Sequence, residues 1–154
     1  MNTTDDEIVR LALCVLQGRL ACNQNEVLDE KAVKNFASLH LGQLQHEVFG
    51  AMFFGIGFNL ITYRQLFSGT TAHCAVYPRE VAKAVLQLNA VYVVLVHNHP
   101  GGGCYASEED VSMTHKLQKC LELIDVMIVD HLIVAGKDVY SMQENEQMLG
   151  YPTT

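Results

Sequence analysis

The residues best suited to chemistry lie in one stretch: His97-Asn98-His99-Pro100-Gly101-Gly102-Gly103-Cys104-Tyr105-Ala106-Ser107-Glu108-Glu109-Asp110. In extended backbone, side chains at i and i+2 point to the same face. His97 and His99 can therefore converge on one metal ion, while Asn98 points away. A carboxylate beside two imidazoles makes a three-ligand zinc site with a position left for water. Asp110 is the candidate carboxylate, and the three glycines free the backbone to bring a helix start back to the strand end. Singly, each piece has a plainer reading. A histidine pair at a strand end is commonly structural, and Ser107-x-x-Asp110 is an ordinary helix N-terminus, with a capping serine and an acid in the first turn. Their order after an apolar strand turns the reading toward a metal site. A metal-bound water would also call for a group that moves protons. Glu47, Glu80 and Glu108 are all carboxylates of the right type, and sequence alone does not choose among them.

The elements that must position these groups follow from periodicity. Residues 91–96, Val-Tyr-Val-Val-Leu-Val, read as a buried central strand leading into the two histidines. Residues 107 to about 123 read as the helix carrying Ser107 and Asp110. Upstream, 48–54 and 60–67 read as a hairpin around Gly55-Ile56-Gly57, and Pro78 opens a helix continued by Val81, Ala82, Val85, Leu86 and Leu88. Residues 126–134 and 139–142 read as two closing strands around Gly136-Lys137. The first forty residues read as helical. Thr4-x-x-Glu7 forms a capping box before Ile8, Leu11, Ala12, Val15 and Leu16, and a second helix from about Asp29 places Val33, Phe36 and Leu39 on one face. Helices and strands mix without strict βαβ repetition, which predicts an α/β chain of the α+β type. Residues 1–40 are expected to form a helical N-terminal extension and 41–154 one compact unit. The tail, 143–154, carries no interpretable pattern.

Composition narrows the classes. The 154 residues are 49% hydrophobic and 18% charged, a globular balance with enough length for a core that needs no disulfide staples. Ten basic against 17 acidic side chains give a net charge of −7, which disfavours life on nucleic-acid phosphates. The longest uncharged run, 48–63, is broken by glycines and polar residues and is too short to span a bilayer. The acidic start lacks the basic region of a signal peptide, so the cytoplasm is the expected compartment. Five cysteines, with wide spacing and no CxxC, predict neither a disulfide framework nor a zinc knuckle.

His97-x-His99, seven residues, then Ser107-x-x-Asp110, with a glutamate upstream, resembles the motif of the JAMM/MPN metalloproteases. More narrowly, the chain resembles the RadC-like JAB domain. The matching stretches are Glu47-Val48-Phe49, Leu66-Phe67-Ser68-Gly69-Thr70, Tyr77-Pro78-Arg79-Glu80-Val81, Leu88-Asn89-Ala90, Val96-His97-Asn98-His99-Pro100 and Asp130-His131-Leu132-Ile133. They run in order through about 100 of the 154 residues. The resemblance implies a cytidine-deaminase-like fold, a mixed β-sheet flanked by helices. It implies Zn2+ held by His97, His99 and Asp110, Glu47 as general acid/base, and Ser107 steadying the oxyanion. The implied activity is hydrolysis of a peptide or isopeptide bond in a peptide or protein substrate.

Departures from the family pattern lie in the site loop. Gly101 stands where a serine is usual, and Cys104-Tyr105-Ala106 stands where prolines are usual, so the loop should be looser. Longer relatives carry an N-terminal helix-hairpin-helix DNA-binding module, and residues 1–40 are too short and too acidic to match it. Other candidates carry less. His46 is read as a non-ligand, His115 as surface, and His131 as a hydrogen-bonded core histidine more than a second layer behind the metal. Cys104 is read as an incidental loop cysteine, and Tyr105 stands equally between groove wall and bystander. Two rival functions remain: a DNA-repair-associated protein or zinc-dependent nuclease, and a non-catalytic interaction module.

Overall fold

The computed structural model describes residues 3–69 and 74–150. Two helices, α1 (Thr3–Ala21) and α2 (Glu30–Leu41), precede a hairpin of β1 (Val48–Phe54) and β2 (Leu60–Ser68). Then follow α3 (Pro78–Leu88), β3 (Tyr92–Asn98), α4 (Glu108–Glu122), β4 (Met127–Ala135) and β5 (Asp138–Ser141). The five strands form one mixed sheet in the order β2-β1-β3-β4-β5, with β3 and β4 parallel and the other neighbours antiparallel. Helices cover both faces, as the family resemblance implies.

Strand periodicity explains the two cores. On β3, Val94 and Val96 face α1 and α2, together with Met52, Phe54, Phe36 and Leu20. Val93 and Leu95 point to the other face, where Phe53, Val85, Leu117 and Leu121 close the second cluster. Both faces of the central strands are covered, which is why 91–96 carries no polar residue but Tyr92. The same alternation sends His97 to the α3/α4 face and Asn98 to the α1/α2 face.

The N-terminal helices differ in detail from expectation. The first helix already includes Thr3, so Thr4 sits within it and not at a cap. Its apolar residues form two stripes. Leu16 and Leu20 are buried, whereas Ile8, Leu11 and Val15 are exposed, because α2 and β2 cover only one side. On α2 the buried set is Ala32, Val33, Phe36, Ala37 and Leu41, and Leu39 lies at the margin. Among the described residues, no helix is long and apolar enough to cross a membrane.

Candidate metal centre

The site forms where the end of β3 meets the start of α4. His97 is the penultimate residue of β3, in register with Phe49 on β1 and Ile133 on β4. His99 follows the strand, its amide bonded to the Val134 carbonyl at 2.9 Å. The chain then turns through Gly101, whose φ of 67° is natural to glycine, and reaches Ser107 at the cap of α4. Ser107 and Asp110 form a reciprocal capping box. The Asp110 N–H donates to Ser107 Oγ at 3.1 Å, and Asp110 Oδ2 accepts from the Ser107 N–H at 2.8 Å. Asp110 Oδ2 also accepts from the Ser107 hydroxyl at 2.8 Å. The plain reading of this motif is therefore realised, and the cap also aims the carboxylate at the two histidines.

Asp110 reaches both histidines. Its Oδ1 lies 3.2 Å from His97 Nδ1, and its Oδ2 lies 3.1 Å from His99 Nε2. His99 is turned toward Asp110 by its other nitrogen, which lies 3.3 Å from the Gly103 carbonyl. One ligand atom from each of the three residues lies within 4.8 Å of the others. Metal–ligand bonds of about 2.1 Å put tetrahedral donors about 3.4 Å apart, so the separations suit a small cation. His97 supplies a second sign. Both of its ring nitrogens are buried; Nδ1 faces the Asp110 carboxylate, and Nε2 has no hydrogen-bond partner. A buried imidazole left unpaired is costly, and a metal bond would satisfy it. The donor set of two imidazoles and a carboxylate fits zinc chemistry, and other divalent ions share it.

Electrostatics favour the charged carboxylate. Burial opposes ionisation of Asp110, yet the two imidazoles and the Ser107 amide around its oxygens outweigh burial and hold its carboxyl well below the usual range. The hydrogen bond to Asp110 raises the His99 pKa against the effect of burial.

Of the three carboxylates left open by sequence, one joins the site. Glu47, just before β1, places Oε2 3.9 Å from His97 Nε2. Glu80 is exposed on α3 beside Arg79, and Glu108 is exposed at the helix start. Asn98 explains the placement of Glu47. Its Oδ1 accepts from the Val48 N–H at 2.6 Å, and its Nδ2 donates to the His46 carbonyl at 2.9 Å. The residue that points away from the His97–His99–Asp110 cluster thus holds the backbone on both sides of Glu47, a role that spacing did not reveal.

These groups share a cleft of about 810 Å³, whose walls add Phe49, Val76, Tyr105, Glu109 and Met113. Tyr105 stands at its rim, 60% exposed. Apolar wall residues from separate elements leave no local pattern, so sequence reasoning missed them. His46 is exposed and outside the cleft. The Cys104 thiol is pushed up mainly by burial and lies 3.8 Å from the Ile133 carbonyl, as an incidental cysteine would. His115 corrects its surface reading: it is half-buried, with Nε2 2.7 Å from the Gln147 carbonyl, because the C-terminal segment folds back on α4. His131 is fully buried and bonded to Thr114, and it also lines the cleft.

Comparison with known proteins agrees with this geometry. The RadC-like JAB domain family matches residues 27–148. A UPF0758 protein of Ralstonia pickettii is 43% identical over 118 residues, covering 77% of this chain and 53% of that protein. Those of Herminiimonas arsenicoxydans and Leptothrix cholodnii are each 41% identical, covering 92% and 89% of this chain and 62% and 61% of theirs. The chain therefore spans about half to three-fifths of the length of these relatives. By the match over most of its length and by identity with these proteins, the chain belongs to the RadC-like JAB domain family.

Proposed function

We propose that this chain is a zinc-dependent hydrolase of the JAMM type, acting on a peptide or isopeptide bond in a peptide or protein substrate. The observation that carries the reading is the convergence of His97, His99 and Asp110 with Glu47 in one cleft, around a buried His97 whose Nε2 has no hydrogen-bond partner. His97, His99 and Asp110 would hold the ion, which when bound supplies Lewis acidity and a water that ionises near neutral pH. Glu47 Oε2, directed at the cleft, takes a proton from the attacking water and returns it to the leaving nitrogen. Water adds to the carbonyl carbon, the C–N bond breaks, and the products are an acid and an amine. Ser107 would turn its hydroxyl from Asp110 to the developing oxyanion. A site with complete ligands and a neighbouring base speaks against a purely structural module. The net charge of −7 speaks against a nuclease.

Elemental analysis tests the metal. Wild-type protein is expected to hold one zinc per chain and Asp110→Ala none. Glu47→Gln is expected to keep the zinc and to cut turnover of a peptide or isopeptide panel by about 10²–10⁴-fold. Wild-type protein that neither contains nor takes up zinc would overturn the reading, and undiminished turnover in Glu47→Gln would remove Glu47 as the base.

A further inference from the structure

A second buried imidazole lies behind the cluster, and the mechanism above leaves it idle. His131 sits on β4 in register with Leu95 and is completely inaccessible. Its ring lies 6.3 Å from that of His97 and 5.6 Å from that of Phe49. Its Nδ1 is 2.6 Å from Thr114 Oγ1, and the same oxygen is 2.6 Å from the Asp110 carbonyl oxygen. A threonine bonded to the carbonyl four residues back is ordinary in a helix. Its second contact, to a buried histidine on the sheet, is not.

Proton counting assigns the tautomer. Each 2.6 Å contact needs a proton between its heavy atoms. Thr114 carries one. The Asp110 carbonyl can only accept, so the threonine proton goes there. The proton in the other contact must then sit on Nδ1 of His131. Burial pushes the His131 pKa down to about 3, so the ring is neutral and holds that one proton alone. Nε2 is left as a bare lone pair, and it has no hydrogen-bond partner. The Met142 sulfur, 3.6 Å from Thr114 Oγ1, is a weak acceptor that does not compete.

We propose that the chain His131 Nδ1–H to Thr114 Oγ1–H to the Asp110 carbonyl is a clamp that positions Asp110 as a metal ligand. The inference rests on the metal reading above. The capping box orients the carboxylate only relative to its own helix. The clamp ties the first turns of α4 to β4, the parallel neighbour of the strand that carries His97. His131 and Thr114 are thus positioning residues, and neither touches substrate.

Two measurements test it. In wild-type protein, ¹⁵N NMR is expected to find His131 protonated on Nδ1 and bare on Nε2. An Nε2-protonated ring overturns the clamp, and this readout needs neither zinc nor activity. Zinc affinity is then titrated against a chromophoric chelator, with circular dichroism to verify folding. Thr114→Val and His131→Phe are expected to weaken zinc binding about 10–100-fold. Thr114→Ser keeps the hydroxyl and is expected to keep the affinity. His131→Asn keeps an N–H near the Nδ1 position and is expected to restore affinity, whereas His131→Gln, which mimics Nε2, is not. Rescue by Gln and not by Asn overturns the clamp. So does wild-type affinity in Thr114→Val and His131→Phe, and that result leaves the metal reading standing. Wild-type protein that binds no zinc removes both.

Discussion

Asn98 carries no chemistry of its own, yet Glu47, the proposed general base, depends on it for its position. Its amide is buried and satisfies one backbone donor and one backbone acceptor on either side of Glu47. Asn98→Ala leaves both backbone groups without partners, at about 1–3 kcal/mol for each group that water does not reach. The expected loss is a melting temperature lower by about 4–8 °C, for roughly 2 kcal/mol in a chain this size. Because Asn98 faces away from the proposed metal ligands, zinc content is expected to survive while turnover falls. Loss of zinc in a folded Asn98→Ala protein would place its role elsewhere. At this scale the His97–His99–Asp110 cluster was legible in sequence, since i, i+2 spacing and a capping box are local geometry. The choice of Glu47 over Glu80 and Glu108 came from family resemblance, and its physical reason, an asparagine fifty residues away along the chain, is not local at all.

Elements set the site by meeting at their ends. The second helix docks against the β4–β5 turn, where the Ser38 hydroxyl donates to the Lys137 carbonyl at 3.3 Å. Gly42, capping that helix, packs so closely that a Cβ would collide with the Gly136 carbonyl and come within 2.6 Å of the Ser38 carbonyl. Both obstacles are backbone, which cannot swing aside. Gly42→Ala is therefore expected to cost roughly 1–3 kcal/mol, read as a lower denaturant midpoint at unchanged slope. An unchanged midpoint would mean that the turn moves freely. The strands and helices were legible because their periods differ. Which stripe of α1 is buried was not, since both are apolar and only the position of α2 decides.

The whole molecule joins two cores through one sheet. Strands β1, β3 and β4 contribute alternate residues to both clusters, so neither cluster can dissolve while the other stays intact. Unfolding in denaturant is expected to follow one transition, with near- and far-ultraviolet dichroism coincident. Its midpoint should fall as pH drops below 6.5. The unfolded chain protonates His131 near its ordinary pKa of 6.5, whereas the buried ring resists protonation down to about 3. The unfolded state therefore binds more protons in this window, and acid withdraws stability by up to about 1.4 kcal/mol per pH unit. His99 acts in the opposite sense, because its raised pKa adds stability that is fully present below 6.5 and lost at higher pH. A folded His131→Phe protein should show a flatter acid limb, and an unchanged limb would assign the loss to other groups.

What the amino-acid order determined alone is what short range can encode: the element types, the alternation that sends His97 and Asn98 to opposite faces, and the capping box that aims Asp110. Tertiary structure decided what lies far apart in the chain. It brought Glu47 to within 3.9 Å of His97, buried His131 against Thr114, and gathered the cleft walls from separate elements. It also folded the C-terminal segment onto α4, where Gln118 bonds both the N–H and the carbonyl of Leu149. The reason is physical. Periodicity and caps act over one or two turns of chain, whereas a cleft is the meeting of surfaces whose separation along the sequence bears no relation to their distance in space.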